Sequence, residues 1–482
     1  MKYFFFFISI TFFAACYKDK GNYSYHTIND VAISMADSFV VITGDTLNVV
    51  PQLQQDIATD ERRLCFEWSV RVEGGVANNS PDSADLVLST TKELHAPIKL
   101  FAQQLKYALN YKVTDTVTGI TYRKPASLRV TNDLSGGWMM LEQDGSKSDI
   151  SFVNTFQQKA FHHVFSKANP GITLPLNAHH VYNFYFPAVT VVDYQYPRSL
   201  LTMLLLQDRG YVLENGSYKI VSDYTTLFTT PPAVKRPQWM SVTGPSKTDL
   251  SIINDGKLYR RFYGRGQLYF GDAYPTTDKS NYMLASIATY AYAEKSIYYD
   301  VPNHRFLSEF DGNIYELIQN GYNPWDAFDP NNVKGDLLGM GIGFYNVYAV
   351  FKNEDGASAT IYQFVQGGVS GKTEVEASSD ISKSPGFAFT KGRQQMYYGA
   401  DNNVYLYDLA AKNYSTIYSF SSNEKVTAIG IEGDDLLIVA TYNGSEGKVY
   451  SFALENTGLI KNSTYNNLYT GFDKVVNICY AQ

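Results

Sequence analysis

One unit recurs through the back two-thirds of the chain: an apolar strand, a tight turn, and a second strand rich in tyrosine. It is read over residues 210–221 and 250–259, and it returns over 306–317, 396–407 and 437–452. The turns carry Asn215-Gly216, Asp255-Gly256, Asp311-Gly312, Asn402-Asn403 and Asn443-Gly444, residue types that tolerate the positive φ of two-residue hairpins. A lone hairpin cannot bury its apolar face in water, so the copies must pack on one another. Their spacing, roughly 35 to 50 residues, fits the four-stranded blades of a β-propeller. Blades fall near 137–165, 198–222, 237–263, 282–318, 337–366, 386–420 and 426–453, which makes about seven, with six or eight also open. The last apolar run, 474–480, has no hairpin partner of its own. It is expected beside Trp138-Met139-Met140-Leu141, where it would close the ring and remove two raw sheet edges. Two stacked sandwiches are the competing arrangement.

Composition agrees with strands. Of 482 residues, 39 are Tyr, 29 Phe and 4 Trp, and aromatic side chains favour the pleated sheet. The 35 Gly and 17 Pro supply turns. No stretch holds a 3.6-residue apolar stripe over three turns, so the reading is all-β. Only 18% of residues are charged and 45% are hydrophobic, which excludes a disordered chain. The formal charge of −7 argues against a nucleic-acid binder, since phosphate contacts need a basic surface.

The amino terminus reads as an export signal. Met1-Lys2 is followed by an apolar run over 3–13 and by Ala14-Ala15-Cys16, the pattern of a secretory signal peptide over residues 1–15. That run is too short to cross a hydrocarbon core of ~30 Å. Small residues directly before Cys16 resemble a bacterial lipobox, although Phe13 stands where Leu is usual. The resemblance implies cleavage before Cys16 and acylation of that residue, and several acyl chains anchor a protein firmly to a membrane. Residues 16–27 then read as a polar, flexible tether. The Lys18-Asp19-Lys20 patch resembles a surface-export signal of Bacteroidota lipoproteins.

From residue 28 to about 132 the chain alternates apolar and polar residues in short segments, as a β-sandwich does. Trp68 falls on a middle strand, where such a core places a tryptophan. Phe66-Glu67-Trp68, with the later segment Tyr107…Tyr111-Lys112-Val113-Thr114-Asp115, resembles the PKD-like, immunoglobulin-type fold. Following Cys16 and Asp19-Lys20-Gly21-Asn22-Tyr23, it resembles in particular the PKD-like lipoproteins of Bacteroidota. That resemblance implies a SusC/SusD-type, TonB-dependent nutrient-uptake system, with a SusC-type transporter and a SusD-type lipoprotein as partners and oligopeptide or glycan as cargo. It implies no catalytic residues. The expected organisation is therefore an immunoglobulin/PKD-like sandwich over 28–132 and a propeller over 136–482.

Motifs that would mark chemistry are scarce. His-Glu-x-x-His, Gly-x-Ser-x-Gly and the P-loop are absent from the sequence. His162-His163 and His179-His180 are adjacent pairs. Strand neighbours point to opposite faces, so neither pair should chelate alone, though the two could meet across a loop. Gly339, Gly341 and Gly343 sit among strands with no following helix, which fits a closely packed blade strand better than a dinucleotide loop. Cys65 and Cys479 lie in apolar strands and read as buried free thiols. Connections over 166–197, 271–281 and 319–336 exceed what core packing needs, and binding groups sit on such loops. The last holds Trp325, Asp326, Phe328, Asp329 and Asn331, rings and amides suited to stacking on a sugar or gripping a peptide. The same residues also fit a plain turn. No metal site and no cofactor are expected.

These features point to a noncatalytic lipoprotein of the outer membrane, facing the cell exterior, that serves a SusC/SusD-type importer. A surface glycan or peptide hydrolase or lyase with its site in the propeller funnel, and an adhesin-like module, are the other classes open to the same sequence.

Overall fold

In a sheet buried on both faces, successive side chains of one strand serve two different cores, so its strands read as continuous apolar runs. Gly137–Gln143 and Ser148–Asn154 are of this kind, buried at nearly every position. The computed structural model describes residues 28–481 apart from 58–59, 73–84, 101–106, 187–199, 244–248, 278–279, 292–294, 311 and 318–325. The signal segment, Cys16, the tether and Trp325 lie outside the described residues. Within them the chain is all-β, broken only by short 3-10 turns and the five-residue helix Val164–Ala168. No described helix is long and apolar enough to cross a membrane. The chain divides into two units, the first built mainly from residues up to 128 and the second mainly from 129 onward.

In the first unit, Leu64–Val72 pairs antiparallel with Tyr107–Asp115, from Leu64↔Asp115 to Val72↔Tyr107. Alternation along Tyr107–Asp115 is strict: Tyr107, Leu109, Tyr111 and Val113 are buried and the residues between them half-exposed. Trp68 is fully buried and stacks on Tyr111 with ring centroids 4.1 Å apart. Its indole N–H donates to the carbonyls of Thr91 and Lys92 at 3.1 and 3.2 Å, so the ring is inside and its polar edge is satisfied. Val31–Ser34 pairs with Gln52–Gln55, and Thr46–Val49 with Leu94–Pro97. Cys65 departs from expectation. The inward face of its strand belongs to Leu64 and Trp68, so the thiol is exposed, and neither Cys65 nor Cys479 is in a disulfide.

The second unit holds seven antiparallel sheets among the described residues. Six run in chain order: Ala178–Asp223, Pro237–Arg261, Leu284–Glu316, Asp336–Val375, Phe387–Ser419 and Lys425–Phe472. The remaining one, the first, combines Gly137–Gln143, Ser148–Asn154 and Lys159–Phe161 with the last strand, Lys474–Ala481. The first strand of each of the six touches the first strand of the next, and Lys474–Ala481 touches both the second sheet and the seventh. Seven apolar clusters alternate with the sheets. Met139 and Leu141 pack toward Val181 and Leu204 of the second sheet. Trp138 and Met140, on the other face of the same strand, pack toward Ile438 and Ala440 of the seventh. The arrangement is propeller-like: each sheet is stabilised only through its neighbours, and the pleat distributes its side chains between them.

The last strand lies where the unpaired apolar run requires it. It pairs with Gly137–Gln143 from Trp138↔Tyr480 to Gln143↔Lys474, with a bulge between Leu141 and Glu142. One expected loop is partly a strand: the connection 166–197 contains Ala178–Tyr185, the first strand of the second sheet. The glycines of the fifth sheet have a packing reason. A Cβ on Gly341 would lie 2.0 Å from the Phe389 ring, and one on Gly339 2.4 Å from Phe387, so the two strands approach only because no side chain intervenes.

Candidate functional site

The bulge at Leu141/Glu142 shapes the site. Directly beyond it, the strand that has buried Trp138, Met139, Met140 and Leu141 carries a carboxylate that is also fully buried, Glu142. A buried carboxylate needs partners, and three chain segments bring them. Ser151, on the neighbouring strand, donates its hydroxyl to Oε1, and the backbone N–H of Asp473 donates to Oε2 at 2.9 Å. His163 places Nε2 3.6 Å from Glu142 Oε1 and 3.4 Å from Asp473 Oδ2. Burial is the main cause that pushes the Glu142 carboxyl up to about 7.

His163 is held by its backbone. It adopts a left-handed conformation, φ 56°, between Lys159–Phe161 and the short helix, and its N–H donates to Ser151 Oγ at 2.9 Å. This turn separates the two adjacent histidines: His162 packs edge-on against Phe472 at 4.7 Å, while His163 faces the acids. Glu142, His163 and Asp473 form a cluster whose donor atoms all lie within 4.8 Å of one another, the one such group of three among the described residues. In the sequence His163 stands out only as half of a pair, and nothing marks Glu142 and Asp473, which stand 331 positions apart.

Beyond Asp473 the chain enters a pocket of about 590 Å³. Lys474 and Val476 of the last strand line it with Lys425, Thr427, Tyr442 and Asn443 of the seventh sheet. Ammonium, amide and hydroxyl groups over an apolar floor suit carboxylates and sugar hydroxyls.

The expected ligand loop is organised as a turn. Phe328 is buried against Phe306, Tyr362 and Phe364 of the fourth and fifth sheets, so it is not a free face for a ligand as expected above. Asp329 accepts the Asn331 N–H through Oδ1 at 2.9 Å, and the Pro330 carbonyl accepts from Phe306 N–H at 2.7 Å. Asp326 and Asn331 are half-buried. Described residues 326–331 thus carry the plain-turn alternative, with Phe328 spent on the core.

The other histidine pair also departs from the alternation rule. A register shift between Ala178 and His180 brings the two Nδ1 atoms to 2.8 Å. His179 Nε2 meets the Pro237 carbonyl, which can only accept, at 3.2 Å. A proton on Nε2 satisfies this contact and lets Nδ1 accept from His180. Burial holds His180 down to about 3, and lowers His179 as well. A histidine whose folded value is depressed stabilises the fold above its unfolded value near 6.5, and loses that contribution as pH falls toward 3. Stability should therefore decline by up to about 1.4 kcal/mol per pH unit from this group below pH ~6.5. Denaturant unfolding of the wild type and of His180→Gln between pH 6.5 and 5 checks this. The difference between them should shrink steadily on acidification, while the opposite-signed contribution of Glu142 cancels.

Comparison with known proteins adds a family and a set of structures. Residues 16–174 match the PKD-like family. The match bears out the resemblance read from Phe66-Glu67-Trp68 and Tyr107–Asp115, and it extends through Glu142 and His163 but not to Asp473. No curated protein matches the chain. Among solved structures, the chain is similar to a quinonprotein alcohol dehydrogenase-like protein from Bacteroides thetaiotaomicron, at 12% identity and TM-score 0.44, over 92% of this chain and 96% of that one. It is similar to a protein from Lactobacillus plantarum at 10% identity and TM-score 0.44, over 72% and 100% of the two chains. The extracellular domain of a one-component system from B. thetaiotaomicron aligns at 11% identity and TM-score 0.40, over 92% and 67%.

Proposed function

We propose that this chain is a noncatalytic, surface-exposed lipoprotein of the outer membrane, anchored through Cys16, and that it serves a SusC/SusD-type nutrient-uptake complex. Its first unit, whose described residues lie within the PKD-like match, links the anchor to the second, and the seven sheets of the second unit are the blades of a seven-bladed β-propeller that carries the recognition surface. The observation that supports this reading is the placement of the PKD-like match, which begins at Cys16, the residue expected to be acylated. The composition of the pocket supports the binding role, since lysines, an amide and a hydroxyl can grip oligopeptide carboxylates or glycan hydroxyls. Gentle detergent extraction of native membranes, capture of this chain and mass spectrometry test the reading. A TonB-dependent transporter and a SusD-type lipoprotein should be recovered, and Cys16→Ala should move the chain out of the membrane fraction. Recovery without any such transporter, or membrane retention of the Cys16→Ala chain, would overturn it.

A further inference from the structure

One imidazole and two carboxylates converge beside the first sheet, and two of their separations are too long for good hydrogen bonds. An N–H···O bond spans about 2.7–3.2 Å, whereas His163 Nε2 stands 3.6 Å from Glu142 Oε1 and 3.4 Å from Asp473 Oδ2. A tetrahedral zinc ion with bonds of about 2.0–2.2 Å sets its ligand atoms roughly 3.3–3.6 Å apart. The two histidine distances match those edges. The third edge, between the two carboxylates, is within 4.8 Å, and Asp473 is about one-third exposed.

We propose that Glu142, His163 and Asp473 form a binding site for a divalent first-row transition cation, with Zn²⁺ as the best fit. One imidazole and two carboxylates are a ligand set for such an ion. Calcium and magnesium instead take six or more oxygens, or keep most of their water. The supports are already built. Ser151 and the Asp473 N–H fix both oxygens of Glu142, and Ser151 also anchors the His163 backbone, the outer-shell orientation that metal ligands require. Entry is open, because His163 and Asp473 keep 43% and 32% of their side chains exposed while Glu142 keeps none. That leaves the fourth position to water or a ligand. Geometrically the ion is a clasp: it ties the residue entering the last strand to the strand that the last strand joins. It would also offset the like charge of two neighbouring carboxylates.

The untagged full chain, stripped with a chelator, is titrated with ZnCl₂ by calorimetry and followed by its unfolding midpoint. One saturable site per chain and a raised midpoint are expected. His163→Ala and Asp473→Asn, both at partly exposed positions, should each weaken binding about 10- to 100-fold or more and abolish the shift in midpoint. His179→Ala should leave binding unchanged, which separates this site from the other histidine pair. Co²⁺ in place of zinc should give the intense visible bands of a tetrahedral nitrogen–oxygen site, absent in His163→Ala. Absence of stoichiometric zinc binding by the wild type, or binding that survives both His163→Ala and Asp473→Asn, overturns the proposal.

Discussion

Deleting residues 474–482 is expected to abolish cooperative folding of the second unit. The last strand is the fourth member of the first sheet, paired with Gly137–Gln143 over its whole length. Its Val475 and Ala481 are fully buried, in the two clusters on either side of that sheet. Asn477 accepts the Val181 N–H at 3.2 Å, so the strand also fastens the second sheet. Without it, Trp138 and Met140 lose their cover, and Gly137–Gln143 becomes a raw edge. Each large apolar side chain returned to water costs ~1.5–3 kcal/mol, and a domain holds only about 5–15 kcal/mol in total. Near-ultraviolet circular dichroism and limited proteolysis of the truncated chain should show lost tertiary packing and early cleavage after residue 129. Addition of a synthetic peptide of residues 474–481 should restore part of the signal. A truncated chain that unfolds at the wild-type midpoint would contradict the closure.

The pairing of the last strand beside Trp138 is legible in sequence because 474–480 is an apolar run with no hairpin partner of its own. The same pairing, taken one residue further, brings Asp473 to Glu142: with residues 474–480 antiparallel to Trp138–Leu141, Asp473 must arrive beside that carboxylate. What sequence could not supply was the third member. His163 reaches the acids through a left-handed backbone turn that no residue preference announces, since positive φ is uncommon outside glycine and asparagine. Ala178–Tyr185 escaped notice for a related reason. The register shift beside His180 breaks its alternation, and its burial runs in threes rather than twos. Phe328 misled in the opposite direction. An aromatic beside acids and amides looks like a binding loop, but in a chain with 29 Phe most rings are needed between sheets, and this one fills the cluster formed by the fourth and fifth.

Replacing Glu309 by Ala should destabilise the protein by about 3–5 kcal/mol, the cost of breaking a buried ion pair from one side. Arg260, on Lys257–Arg261 of the third sheet, and Glu309, on Arg305–Phe310 of the fourth, are each only 3% exposed and form an ion pair. Arg260 also lies over the Phe262 ring at 4.5 Å, so its stem and head are both enclosed. The strands that carry the pair also carry buried Leu258 and Leu307, so the two charges face each other beside an apolar cluster. The pair taken together need not be a net gain, since desolvating two ions consumes much of their attraction. That distinction gives the experiment its discriminating arm. The double variant Arg260→Met/Glu309→Leu, which removes both charges at similar volume, should recover most of the stability that Glu309→Ala loses. Urea unfolding of the three proteins reads the difference directly. If Glu309→Ala and the double variant fall by the same amount, the loss comes from disrupted packing between the third and fourth sheets, and the buried charge is not its cause.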